Sequence, residues 1–259
     1  MKHAGFRLAF AASIASILCA CDDGGAKTPA VADVAPSAVS DPSLPAGSVR
    51  GTIVFDGVAP ERHAVPMGGV ASCAAHAGKV LTETVIVNVG KLQNVLIYAK
   101  SGVDAASVTP APSTPVVLEQ HECVYSPHVI ALRVGQKLQI HNGDDFNHNV
   151  NAKAQRNGSA SFNKTQSGGA PPLEVVFDKP ELLVPFACDI HPWMRCYVHA
   201  IEHPFFAVSG ADGTFAIDGL APGKYRFEAV HETLGRQEVE VVLDGKAGAQ
   251  ATFHFHAKN

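Results

Sequence analysis

Long apolar runs, basic clusters, aromatic residues and methionine are all scarce in this chain of 259 residues. No stretch reaches the ~20 apolar residues that a membrane-crossing helix requires; residues 8–18 come to about half of that. Only 17% of residues are charged, the formal net charge is −4, and no basic run occurs, which argues against nucleic acid as a partner. Aromatic residues make up 7%, with one tryptophan, and there are three methionines. Neither a catalytic triad nor a phosphate-binding loop is apparent.

The first residues have an export pattern. Lys2 and Arg7 precede the apolar stretch 8–18, and small residues follow, the order of a signal peptide. Leu18-Cys19-Ala20-Cys21 resembles a bacterial lipobox, which makes residues 1–20 a lipoprotein signal peptide and Cys21 the lipidated first residue of the mature chain. An ordinary secretory peptide cleaved nearby is the alternative. Either reading places the chain outside the cytoplasm, in the periplasm or at the cell surface. Residues 21–48 are nearly all Asp, Ala, Pro, Ser, Gly and Val without an aromatic, and we read them as a disordered tether. Fully extended at ~3.3 Å per residue, it would reach about 90 Å from the membrane.

From Val49 onward, short runs rich in Val, Ile, Phe and Tyr alternate with Gly, Pro, Asn and Asp, and no long segment has a helical period. The fold class expected is all-β, with strands at 49–55, 84–87, 94–99, 116–119, 131–134, 137–141, 174–177, 182–187, 197–201, 215–217, 225–230, 237–243 and 251–255. Such a series builds sandwiches or barrels.

Four cysteines remain beyond the signal region: Cys73, Cys123, Cys188 and Cys196. Cys188-Asp189-Ile190-His191-Pro192-Trp193-Met194 puts a thiolate, an imidazole and a thioether on one short loop. A trigonal His, His, Cys set with a weak axial Met is the blue-copper arrangement, and His148 is the candidate for the second imidazole. The expected ligands are therefore His148, Cys188, His191 and Met194, holding one type 1 copper ion. Pro192 stiffens the loop and Trp193 adds apolar bulk that limits water, while Asn149 is placed to tie the two ligand segments together. With Cys188 on the metal, Cys73–Cys123 is the expected disulfide, although pairs with Cys196 stay open. Most of His121, His128, His199, His203 and His231 are read as structural or exposed, a second copper site among them being the weaker alternative. His254 and His256 alternate on a terminal strand and face one side.

The order of strands and ligands across residues 115–202 resembles a small cupredoxin, most closely amicyanin, whose copper loop also reads Cys-x-x-His-Pro-aromatic-Met-Arg and whose upstream histidine sits in a His-Asn-Val triplet like His148-Asn149-Val150. Asn147 stands where relatives often carry Pro. The resemblance implies a Greek-key barrel or sandwich. Residues 49–57 and 212–225 are similar to opposite ends of a transthyretin-like, carboxypeptidase-regulatory-like sandwich, with Pro222-Gly223 as a tight turn. The copper domain is then expected as an insertion between 49–110 and 203–259, within a second, smaller sandwich.

These readings favour a one-electron carrier over an enzyme. Residues 115–202 contain no His-x-His pair for a substrate-binding copper, and Pro192 occupies the position where a two-copper centre needs its second cysteine. Copper delivery, or a binding module whose sandwich recognises carbohydrate or protein, is the remaining class. Amicyanin-like proteins accept electrons from a methylamine dehydrogenase, but a resemblance over one domain does not carry that partner here; a cytochrome or another dehydrogenase fits equally.

Overall fold

The computed structural model describes Met1 and residues 35–257. The expected signal peptide beyond Met1, and Cys21, lie outside the described residues. The described part is all-β: nineteen strands, and no helix beyond short 3-10 turns. No helix among the described residues is long and apolar enough to cross a membrane.

The chain begins with β1 (Ser37–Asp41), β2 (Val49–Asp56), β3 (Val87–Asn88), β4 (Lys91–Leu92) and β5 (Leu96–Ser101). It then builds β6 (Val116–His121), β7 (Val124–Ser126), β8 (Val129–Arg133), β9 (Lys137–Asn142), β10 (His148–Ala152), β11 (Phe162–Gln166), β12 (Leu173–Val176), β13 (Glu181–Ala187) and β14 (Arg195–Ile201). It returns through β15 (Phe206–Val208), β16 (Thr214–Ile217), β17 (Gly223–His231), β18 (Gly235–Leu243) and β19 (Gly248–His256).

The first and last groups interleave into one outer sandwich. One sheet runs β1-β19-β2-β4-β3 with β16 also on β2, and the other runs β15-β5-β17-β18. Alternation explains the packing: in β18, Val239, Val241 and Leu243 point inward and Glu238, Glu240 and Val242 outward. The inward residues of both sheets, among them Ile53, Ile97, Phe227 and Phe253, form one core, and each fully buried phenylalanine is worth about 2–3 kcal/mol in apolar transfer. The outer sandwich is not the smaller one, since it holds ten of the nineteen strands.

Strands β6 to β14 form the inserted sandwich, with sheets β11-β10-β13-β14-β8 and β12-β9-β6-β7. Its separate core includes Leu118, Ile140, Val150, Phe177, Phe186 and Val198. The chain leaves the outer sandwich after β5 and re-enters it at β15, and these two strands pair with each other. Arg133 holds both crossings, its guanidinium donating to Thr109 O at 2.7 Å and to Glu202 O at 2.9 Å. Leu96, Ile201 and Val230 form a small apolar cluster between the sandwiches.

Two expectations need correction. The tether does not extend to Ser48: β1 pairs along its whole length with β19, from Ser37 opposite Thr252 to Asp41 opposite Gly248. An edge strand is held chiefly by its backbone ladder, so small side chains suffice, and Ala38 still packs on the core. The strand expected at 84–87 is replaced by Val87–Asn88, because the chain rejoins the outer core only near Val85, after residues 57–84 have run outside its sheets. They fold into a cap with two 3-10 turns, Met67–Gly69 and Ala74–His76. Its neck is closed by Val65 N–H to Val80 O at 2.9 Å and Thr82 N–H to His63 O at 2.9 Å.

Candidate metal centre

Strand alternation along β13 buries Val184 and Phe186, and continues to Cys188 immediately beyond the strand end. The loop that follows is closed by its own backbone: Cys188 N–H donates to Met194 O at 3.1 Å, and Met194 N–H to His191 O at 2.9 Å. Pro192 is exposed at the apex, where a missing N–H costs nothing. Cys188, His191 and Met194 are 2%, 1% and 1% exposed.

His148 arrives from the opposite side. It is the first residue of β10 rather than a loop residue, because the preceding turn is tied by Asn142, whose Nδ2 donates to Phe146 O at 2.9 Å. The imidazole is fully buried. His148 Nδ1 lies 2.9 Å from His191 Nδ1, and His191 Nδ1 lies 3.7 Å from Cys188 Sγ. Two nitrogens and one sulfur thus face a common point. Met194 shares the buried cluster that contains Cys188.

Asp144 sets the tautomer. His148 Nε2 stands 2.7 Å from Asp144 Oδ2; an ionised carboxylate only accepts, so Nε2 carries the proton and Nδ1 presents its lone pair to the centre. Asp144 is itself fixed by the N–H groups of Glu122 at 2.7 Å and Cys123 at 3.0 Å. Burial works to raise its pKa, but the hydrogen bonds from His148, Cys123 and Glu122 outweigh burial, and the carboxyl lies below its ordinary value. Burial, then the neighbouring His148, hold His191 below the ordinary histidine value, which favours the neutral, ligating imidazole.

Asn149 links three elements. Its backbone N–H approaches Cys188 Sγ at 3.3 Å, its Oδ1 accepts from Asp189 N–H at 3.1 Å, and its Nδ2 donates to Asn163 Oδ1 at 2.5 Å on β11. Tyr125 closes the floor by donating to Asn149 O at 2.7 Å. Trp193 leans on His191, ring centroids 5.5 Å apart, and its Nε1 donates to Cys123 O at 2.9 Å. Phe146 flanks both histidines.

The cap seals the remaining side. Cys73 and Cys123 form a disulfide, and with Val65 and Met67 they make a buried cluster against Phe146 and Trp193. Cys196 is a separate, buried free thiol, pushed upward in pKa by burial. Of the other histidines, His121 reaches the rim of the centre, its Nδ1 3.6 Å from Asp144 Oδ1, while His128 bonds Glu232, His203 bonds Ala99 O and His254 bonds Asp56. Burial, then Arg236, lowers His199 to about 3. Sequence reasoning missed Asp144 as a partner of His148, although its four-residue spacing ahead of the histidine was a usable signal. It also missed Tyr125 and Asn163, which topology alone brings near.

The donor set suits copper: thiolate and imidazoles are its ligands, and the amide N–H on the sulfur with the excluded water is how such a centre is tuned. Among comparisons, no family model matches the chain and no curated protein matches it. Solved structures do. The copper-containing nitrite reductase of Thermus scotoductus is 22% identical with TM-score 0.31, over 39% of this chain and 25% of that one. The chain thus spans about a quarter of that enzyme's length. Amicyanin of Paracoccus versutus is 22% identical with TM-score 0.29, over 40% of this chain and 97% of its own. A purple cupredoxin of Nitrosopumilus maritimus is 20% identical with TM-score 0.28, over 33% and 99%. These likenesses are to cupredoxins and cover the chain only in part.

Proposed function

We propose that this chain is a type 1 copper protein that carries single electrons and is not an enzyme. The observation that carries the reading is the buried convergence of His148 Nδ1, His191 Nδ1 and Cys188 Sγ. Copper bound there would supply one-electron chemistry. The chain supplies the rest: Asp144 orients His148, Asn149 N–H approaches the thiolate sulfur, and Trp193, Phe146 and the cap keep water away. Ligands held by packing and hydrogen bonds on one strand and one short, backbone-closed loop move little between oxidation states, which suits rapid transfer.

The wider setting belongs to the same proposal. The protein is exported and anchored by Cys21, and its partner is another redox protein, a cytochrome or a dehydrogenase. The outer sandwich serves as a transthyretin-like platform. Copper-loaded protein should show the intense visible thiolate-to-copper band and reversible one-electron reduction. A Cys188→Ser variant that kept the band would sink the assignment.

A further inference from the structure

The cap places a second sulfur group against the centre. Cys73 Sγ, Cys123 Sγ and a ring nitrogen of His191 lie within 4.8 Å of one another, and all three residues are buried. Met67, fully buried, belongs to the same cluster. Two cysteines, a thioether and an imidazole in one apolar nest form a soft donor set, the kind that selects cuprous copper. As a disulfide, the cysteines offer no ligand; as thiols, they do.

We infer that the reduced Cys73 and Cys123 thiols, together with His191, form a second site for cuprous copper at the mouth of the centre. The inference borrows His191 from the type 1 reading but goes beyond it. An external dithiol opens the site: it gives two electrons and two protons to the Cys73–Cys123 bond, which breaks into two thiols, and the dithiol becomes a disulfide. Cuprous copper then displaces the two thiol protons, and no further electron moves. A bound metal ion deprotonates a coordinating thiol even in an apolar setting. A cavity of about 370 Å³ lined by Val65, Val80, Trp193 and Met194 adjoins the cap, separated from the two cysteines by these side chains.

The test uses the full chain with Cys188→Ser, which removes the type 1 thiolate. Cuprous copper is supplied through a competing chelator before and after reduction with a phosphine, and X-ray absorption reads the ligands. The expected result is no tight uptake by the disulfide form and one copper, with two sulfur neighbours, by the reduced form. Adding Cys73→Ser and Cys123→Ser should abolish that uptake. No uptake after reduction, or uptake unchanged by the two serines, overturns the proposal. Circular dichroism follows the same samples: reduction that unfolds the sheets also overturns it, since the site needs the cap in place. The type 1 reading fails separately, through a missing visible band in oxidised wild-type protein.

Discussion

His128 and Glu232 join the two sandwiches through a bond of 2.9 Å between His128 Nε2 and Glu232 Oε2. The other ring nitrogen, Nδ1, faces Arg195 O at 3.1 Å and Glu83 Oε2 at 3.7 Å. Both nitrogens meet acceptors, an arrangement that favours the doubly protonated ring. Burial lowers the His128 pKa, but the hydrogen bond and charge of Glu232, with Glu83 and Arg195 O behind them, outweigh burial and raise it above 6.5. A raised histidine stabilises the fold fully below its unfolded value and loses that contribution as pH rises through the folded value. Urea midpoints should therefore fall as pH rises from the ordinary histidine value of 6.5 through the raised folded value, and Glu232→Gln should flatten that slope. A slope unchanged by the variant would count against the bond.

Asp144→Asn should weaken copper binding by roughly 10–100-fold, the usual cost of removing a carboxylate behind a ligating histidine. Chelator competition measures it. The variant also loses charge-assisted bonds from Glu122 and Cys123 N–H, so stability should drop by about 1–3 kcal/mol. Undiminished affinity would show that His148 needs no orienting partner.

Replacing Cys73 and Cys123 by Ala should destabilise the oxidised protein. The bond closes a loop with a sequence separation of 50, for which chain entropy gives on the order of 4 kcal/mol. Denaturant unfolding of wild type and double variant reads the difference directly, and a loss below about 1 kcal/mol would contradict the entropic account.

Gly51→Ala should cost about 1–3 kcal/mol through overpacking. An added Cβ would stand 2.2 Å from Ala251 O and 2.4 Å from the Phe215 ring, between β19 and β16. Thermal unfolding of the variant checks it; an unchanged midpoint would mean the strands separate freely.

Cys188, His191 and Met194 were legible in the sequence because they occupy one loop, where spacing alone fixes their proximity. Most strands were legible for a similar reason, since residues such as Val239, Val241 and Leu243 alternate visibly. What escaped was held by partners far away in the chain. β11 reads Phe-Asn-Lys-Thr-Gln, polar because it is an edge, and β1 is a strand only because β19 accepts it. The cap carries no periodic signal; its position depends on the Cys73–Cys123 bond and on Met67 finding Trp193.

The parallel pairing of β2 with β19 sets Val49 against Ala249 and Asp56 against His256. The inserted sandwich, by contrast, finds every strand partner between Val116 and Ile201. Contacts close in sequence form sooner than distant ones. The metal-bearing half can thus mature while its host is still an open chain, and the host locks around it only when the last strand arrives. A nascent or C-terminally truncated molecule would then present a finished centre on an unfinished support.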